Sequence, residues 1–280
     1  MSYRVVVDSC CDLPDDFRAS HPEIVSIPLT IELDGETYID DSSFPQLEFI
    51  QKVAASSDYP RTACPSPQAY LDAYTCDAED IYVVTLSERL SGSYASAETA
   101  RQMYLDEYGG KNIFLVNSKS ACCGEGLIAM KICELAGNGT SFEEVVSRIE
   151  TFREEMNTYF VLETLETLRR NGRLSNLTAL IVNTLNIKPV MAATPEGEIC
   201  KRKQARGMDR ALDLLASIAV SEVKNPQEKI LAITHVNCPE RAKKLGEKFR
   251  SLNMFKDVVI AAAGGLSTCY ANDGGIVVTV

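Results

Sequence analysis

The sequence predicts an α/β protein of two lobes, the first built on a mostly parallel sheet and the second on a mixed one. Three observations carry that expectation. Short apolar runs alternate with helix-period segments through the first half, the pattern of βαβ units. After about residue 157 the texture changes, and Pro195-Glu196-Gly197-Glu198 forms a tight turn between two strand-like runs, the mark of an antiparallel hairpin. The chain has 280 residues, beyond the size at which single cores usually stop growing. The expected division is an N-terminal domain of residues 1–157 and a C-terminal domain of residues 158–280.

In chain order, residues 5–8 read as a strand, 24–33 as one or two strands, and Asp34-Gly35-Glu36 as a turn. Residues 45–55 and 66–74 read as helices, the first with Pro at an early position where its missing N–H is harmless. Residues 81–86 form a strand, and 93–107 a helix closed by Gly109-Gly110. A strand at 113–116 and a helix at 122–135 follow. Residues 141–156 are an amphipathic helix that opens with a capping box, Ser141 with Glu144. Beyond residue 157 come a strand at 159–162, a helix at 163–170 stopped by Asn171-Gly172, and a helix at 177–185. Strands flank the turn at 195–198; then helix 208–220, strand 230–235, helix 240–252 and strand 258–262 complete the alternation. Residues 264–275 are rich in Gly, Ser and Thr, and 276–280 reads as a last strand.

Composition narrows the function classes. The net charge of −11 argues against nucleic acid or an anionic membrane as main partner, because neutralising phosphates needs clustered Lys and Arg. A local basic cluster remains at Arg169, Arg170 and Arg173. No apolar run approaches a membrane span and no N-terminal signal pattern is visible, so a cytoplasmic location is expected. Ten cysteines and two histidines lack C-x-x-C spacing, which leaves little for a structural zinc site. In a reducing compartment these cysteines act mostly as small buried hydrophobes.

The chemistry-bearing stretch is Leu90-Ser91-Gly92-Ser93-Tyr94, a Ser/Gly turn between an apolar strand and a helix. Such a turn presents backbone N–H groups and hydroxyls to an anion. Thr62-Ala63-Cys64-Pro65-Ser66-Pro67 is a second hydroxyl-bearing turn ahead of a helix. Two such turns meeting at one cleft can hold a small oxyanion without metal or lysine. The plainer reading makes Ser93 a helix N-cap and Thr62 a turn hydroxyl. Asp15-Asp16 and Asp40-Asp41 read as turn and cap acids, Asp8 as a structural residue at a strand end, and His235 as structural or capping.

Taken in order, Val7-Asp8-Ser9, Asp12-Leu13-Pro14, Thr62 with Pro65-Ser66-Pro67, Leu90-Ser91-Gly92-Ser93-Tyr94 and Asn117-Ser118 with Gly124 resemble the DegV family of bacterial fatty-acid-binding proteins. Leu168-Arg169-Arg170-Asn171-Gly172-Arg173-Leu174-Ser175, Lys188-Pro189, Gly197-Glu198, Arg206 with Ala211, and His235 extend the resemblance over almost the whole chain. It implies two α/β domains with an apolar tunnel between them that encloses a long-chain fatty acid. It also implies a carrier with no complete active site of its own, which presents the carboxylate to a partner fatty-acid kinase. By position, Thr62 and Ser93, with Ser91 and Gly92, correspond to the carboxylate-holding turns. Arg173 and Arg206 match basic positions near the kinase-facing surface. No cofactor or metal is implied. One departure stands out: where the family carries Thr-His-x-Gly-Pro-Gly, this chain reads Thr268-Cys269-Tyr270-Ala271-Asn272-Asp273-Gly274, so Cys269 stands in place of an imidazole beside the head group.

Two other functions stay open on the residues alone. Ser93 as the nucleophile of a hydrolase or transferase needs a base from His21 or His235, and no G-x-S-x-G elbow is present. Ser91-Gly92-Ser93 suits a phosphate or nucleotide equally well, without a G-x-x-x-x-G-K-[ST] or G-x-G-x-x-G signature. Leu162, Leu165, Leu168, Ile181 and Leu185 are candidates for tunnel walls, although leucines at helical spacing are more often ordinary core.

Overall fold

The computed structural model describes residues 2–174 and 186–280. The helix expected at 177–185, with Ile181 and Leu185, and Ser175 of the basic motif lie outside the described residues. The first part of the chain runs β1 (Tyr3–Asp8), α1 (Asp15–Ser20), β2 (Ile24–Ile27), β3 (Thr30–Leu33), β4 (Glu36–Ile39), α2 (Gln46–Ala55), β5 (Arg61–Ala63), α3 (Pro67–Tyr74), β6 (Asp80–Thr85), α4 (Ser93–Glu107), β7 (Asn112–Asn117), α5 (Cys123–Gly137) and α6 (Phe142–Glu154). The second runs β8 (Thr158–Val161), α7 (Glu166–Arg170), β9 (Ile187–Ala193), β10 (Ile199–Arg206), α8 (Met208–Glu222), β11 (Ile230–His235), α9 (Pro239–Ser251), β12 (Asp257–Ala262), α10 (Gly265–Ala271) and β13 (Ile276–Thr279).

Strands β2-β1-β6-β7 form a four-stranded parallel sheet. All six residues of β6 are buried, as a central parallel strand covered on both faces requires. Helices α3 and α4 pack on one face around Tyr70, Tyr74 and Ala97, and α5 and α6 on the other around Ile128, Ile132 and Ile149. Ser66 caps α3, its hydroxyl accepting from the Ala69 N–H, with Pro67 at the first helical position. Ser141 caps α6 by accepting from the Glu144 N–H. Strands β10-β9-β8-β13-β11-β12 form a mixed six-stranded sheet, antiparallel throughout except for the β11/β12 pair. Helices α8 and α9 cover its outer face.

Residues 24–33 divide at Pro28, which has no N–H to donate and ends one ladder before the next begins. Strand β2 joins the parallel sheet, whereas β3 turns away to form a small antiparallel sheet, β4-β3-β5. Strands β4 and β5 and helices α1 and α10 were not expected from the sequence. Helix α10 forms within the Gly/Ser/Thr-rich tail because distant carboxylates hold its start. Asp40 accepts the N–H groups of Gly265 (2.5 Å) and Leu266 (2.9 Å), and Asp12 accepts that of Gly264 (2.8 Å). Asp40 is therefore a cap for a helix more than two hundred residues away, not a local turn acid. Asp41, by contrast, accepts from the Ser43 N–H and hydroxyl, as a turn acid should.

Helix α5 lies between the two large sheets, touching β1 and β6 on one side and β11 and β13 on the other. Ten of its residues are buried, as a helix sandwiched between sheets must be. Gly126 makes this possible: a Cβ there would stand 2.4 Å from the Asp12 carbonyl oxygen. A second joint is the β9–β10 turn, where Gly197 at φ +85° lies against Ser87 and Lys119, and the Ser87 hydroxyl donates to its carbonyl at 2.8 Å. Between these joints runs an apolar cluster drawn from both lobes, including Leu86, Leu127, Phe160, Leu168 and Leu266.

Candidate functional site

Within that shared cluster lies a cavity of about 100 Å³. Its wall is overwhelmingly apolar. Cys10, Leu86, Leu90 and Cys122 come from the N-terminal half, and Phe160, Leu162, Leu168, Leu266 and Val277 from the C-terminal half. Leu162 and Leu168 thus line it, while Leu165 packs against the same cluster. Arg173 and Tyr270 also stand in this wall.

The two hydroxyl-bearing turns meet at one place. Cys64 lies against Gly92, its Sγ 3.0 Å from where a Cβ on that glycine would sit, so a side chain there would require the thiol to give by a few tenths of an ångström. The Ser91 hydroxyl accepts from the Ser93 N–H at 3.2 Å and lies 3.1 Å from the Ser93 hydroxyl. Ser93 is fully buried, and it is the first residue of α4; the N-cap is Gly92. Thr62 Oγ1 lies 2.8 Å from the Tyr270 hydroxyl. Arg173 joins the groups: its Nε donates to the Leu90 carbonyl at 3.0 Å, and its guanidinium carbon is 5.7 Å from the Tyr270 ring centre. A chain of contacts therefore runs Thr62, Tyr270, Arg173, Leu90, Ser91, Ser93. The cavity wall is reached by Leu90, Arg173 and Tyr270, whereas Thr62, Ser91, Gly92 and Ser93 stand behind it.

Cys269, expected beside the head group, is placed elsewhere. It is 1% exposed and packs with Ile31, Leu33, Tyr38 and Phe49 on the small sheet. Successive helical residues point about 100° apart, so Tyr270, one step along α10, still touches the small sheet through Thr62 but also reaches the cavity wall, which Cys269 does not. Tyr270, in the cavity wall, was not singled out from the sequence, although it lies inside the stretch that departs from the family's histidine motif. Arg206 is exposed at the end of edge strand β10, opposite Ile187, apart from the turns. Of the basic cluster, Arg169 and Arg170 pair with Glu166, and the Arg169 guanidinium foremost holds that carboxyl down at about 2.

Beneath Ser93 lies a buried acidic pair. Asp8 accepts N–H groups of Cys10 (3.1 Å) and Leu86 (3.0 Å), yet burial pushes its carboxyl up to about 6. Glu125 is fully buried, neither oxygen has a hydrogen-bond partner, and burial together with the Asp8 charge pushes it far above the usual carboxylate range. Burial thus favours the protonated form of Glu125. Asp8, Cys10 and Glu125 bring potential ligand atoms within 4.8 Å of one another, as do His21, Glu23 and Cys133. Both histidines are engaged away from Ser93: His21 stacks on Phe17 and bonds its carbonyl, and His235 Nδ1 faces the Cys238 N–H. Six of the ten cysteines are buried, Cys10 and Cys122 in the cavity wall.

Comparison with known proteins adds a consistent set of likenesses. A family model described as "Uncharacterised protein, DegV family" matches residues 2–279. A DegV domain-containing protein of Streptococcus pneumoniae is 32% identical over 279 residues, 99% of this chain and 98% of that one. A DegV family protein of Ruminococcus gnavus, solved with vaccenic acid, superposes with a TM-score of 0.96 at 46% identity, covering 100% of both chains. The Fatty Acid Kinase (Fak) B3 protein of Streptococcus pneumoniae, loaded with linoleic acid, superposes with a TM-score of 0.90 at 30% identity, covering 100% of this chain and 99% of that one. Among the described residues no helix is long and apolar enough to cross a membrane.

Proposed function

The chain belongs to the DegV family, and from that premise we propose that it binds one long-chain fatty acid between its lobes and presents the carboxylate to a partner fatty-acid kinase. The observation that carries this reading is the apolar cavity lined from both halves of the chain, whose wall includes Tyr270, bonded to Thr62, and Arg173, bonded to Leu90 of the Ser/Gly turn. Each methylene buried there is worth roughly 0.8 kcal/mol, so the tail supplies most of the affinity. The head needs only a few converging donors, because a hydrogen bond to an ionised acceptor contributes roughly 1.5–3 kcal/mol. Thr62, Ser91 and Ser93, with the amides of the Gly92 turn, are the proposed source. The proposed role is that of a carrier: Ser93 has Asp8 and Tyr70 beside it and no histidine to activate it.

Native mass spectrometry of the purified protein, followed by solvent extraction, should reveal a co-purifying acyl chain. Thr62→Ala combined with Ser93→Ala should weaken oleate binding by roughly 100-fold; an unchanged dissociation constant rejects that site. Oleate-loaded protein mixed with a fatty-acid kinase and ATP should yield acyl phosphate. Arg206→Ala should lower that yield without altering oleate affinity, which would place exposed Arg206 on the kinase-facing surface.

A further inference from the structure

Tyr270 Oη and Thr62 Oγ1 share a single hydrogen bond at 2.8 Å. Two hydroxyls carry two hydrogens, and their mutual bond uses one. The other remains to be given to a further acceptor. Burial pushes the Tyr270 phenol up, so it stays a donor at neutral pH. The Arg173 guanidinium lies over the same ring and supplies positive charge beside the pair. The remaining polar wall residues are already committed or carry the wrong sign. Lys119 pairs with Glu154 at 2.7 Å, Ser120 bonds Thr158 at 2.6 Å, Ser267 faces the Cys122 thiol at 3.3 Å, and Glu198 is itself an acid.

Resting on the fatty-acid reading above, we propose that Tyr270, not its neighbour Cys269, is the carboxylate donor contributed by the C-terminal lobe, acting as a pair with Thr62 beside Arg173. A carboxylate at this point of the wall accepts the free hydroxyl hydrogen of the pair, while the tail extends along Leu90, Leu168 and Phe160. The assignment makes recognition of the head group a joint act of both lobes, because Thr62 and Tyr270 come from β5 and α10.

The test is titration of lipid-stripped protein with oleate and, separately, with oleyl alcohol, which shares the tail and lacks the charge. Tyr270→Phe keeps the ring over Arg173 and removes only the hydroxyl. The expected result is a loss of oleate affinity of about tenfold or more, with oleyl alcohol unchanged within about twofold. Thr62→Val reads the same pair independently and carries the test should Tyr270→Phe fold poorly; it should show the same selective loss. Cys269→Ala should leave oleate affinity unchanged. Oleate binding unaffected by both pair variants, or both ligands weakened equally, overturns the proposal while the fatty-acid reading stands. A loss at Cys269→Ala matching that of Tyr270→Phe overturns it likewise. A wild-type protein that binds neither ligand removes the fatty-acid reading, and the proposal with it.

Discussion

Asp12 gives the sharpest quantitative test of how the lobes are joined. Its carboxyl is fully buried; one oxygen accepts the Gly264 N–H, and the other has no partner. Burial pushes it up to about 7, and the Gly264 amide offsets that only in part. An acid whose folded pKa lies above its unfolded one binds its proton more tightly when folded. Folding stability is therefore fully present below the unfolded value and is lost as pH rises towards 7. Against an unfolded value near 3.8, the penalty amounts to roughly 1.7 kcal/mol at about pH 5 and roughly 4.3 kcal/mol at about pH 8. Asp12→Asn removes the titration and keeps an oxygen for Gly264. Its stability relative to wild type, measured by urea unfolding, should thus rise by about 2.5 kcal/mol between about pH 5 and pH 8. His235, held below its usual range by burial, and Asp8 titrate alike in both proteins and cancel in the difference. A variant-minus-wild-type difference that is flat across this range would refute the argument.

Gly197→Ala meets both a left-handed φ and a Cβ position 2.3 Å from Ser87 Oγ and 2.9 Å from Lys119 Cα; a loss of about 2 kcal/mol or more is expected by thermal unfolding. Val277→Phe adds bulk to the cavity wall from the centre of the six-stranded sheet, and oleate titration should show affinity reduced more than about tenfold. Glu125→Gln replaces a carboxyl whose protonated form burial favours, so stability near pH 7 should change by less than about 1 kcal/mol in a urea titration; a loss above about 3 kcal/mol would mean that the native side chain is ionised.

The parallel sheet was legible in sequence because its order rests on local patterns: a fully buried run such as residues 80–85, followed by a helix with a turn at its start, leaves few alternatives. The β9–β10 hairpin was equally legible, since Gly197 marks its turn. Helix α10 was not, because its start is held by Asp12 and Asp40 from the opposite end of the chain, and no local signal reports that. Strands β4 and β5 were missed for the same reason, being short and paired only through β3. At the site, the turn residues 91–93 announced themselves through composition, and Gly92 meets Cys64 of the Thr62 turn. Tyr270 could not be distinguished from Cys269 without the helical phase of α10, which a stretch rich in Gly, Ser and Thr does not display.

One consequence of the shared cavity concerns the life of the molecule in a cell. Because its walls are contributed by both halves, a guest lodged there is also mortar between them, and at a hundredfold excess over its dissociation constant it adds about 2.7 kcal/mol against unfolding. Proteases sample the opened form in proportion to its population. On the fatty-acid reading proposed above, the abundance of this protein should therefore rise and fall with the supply of that acid, a gauge of how much cargo there is to carry.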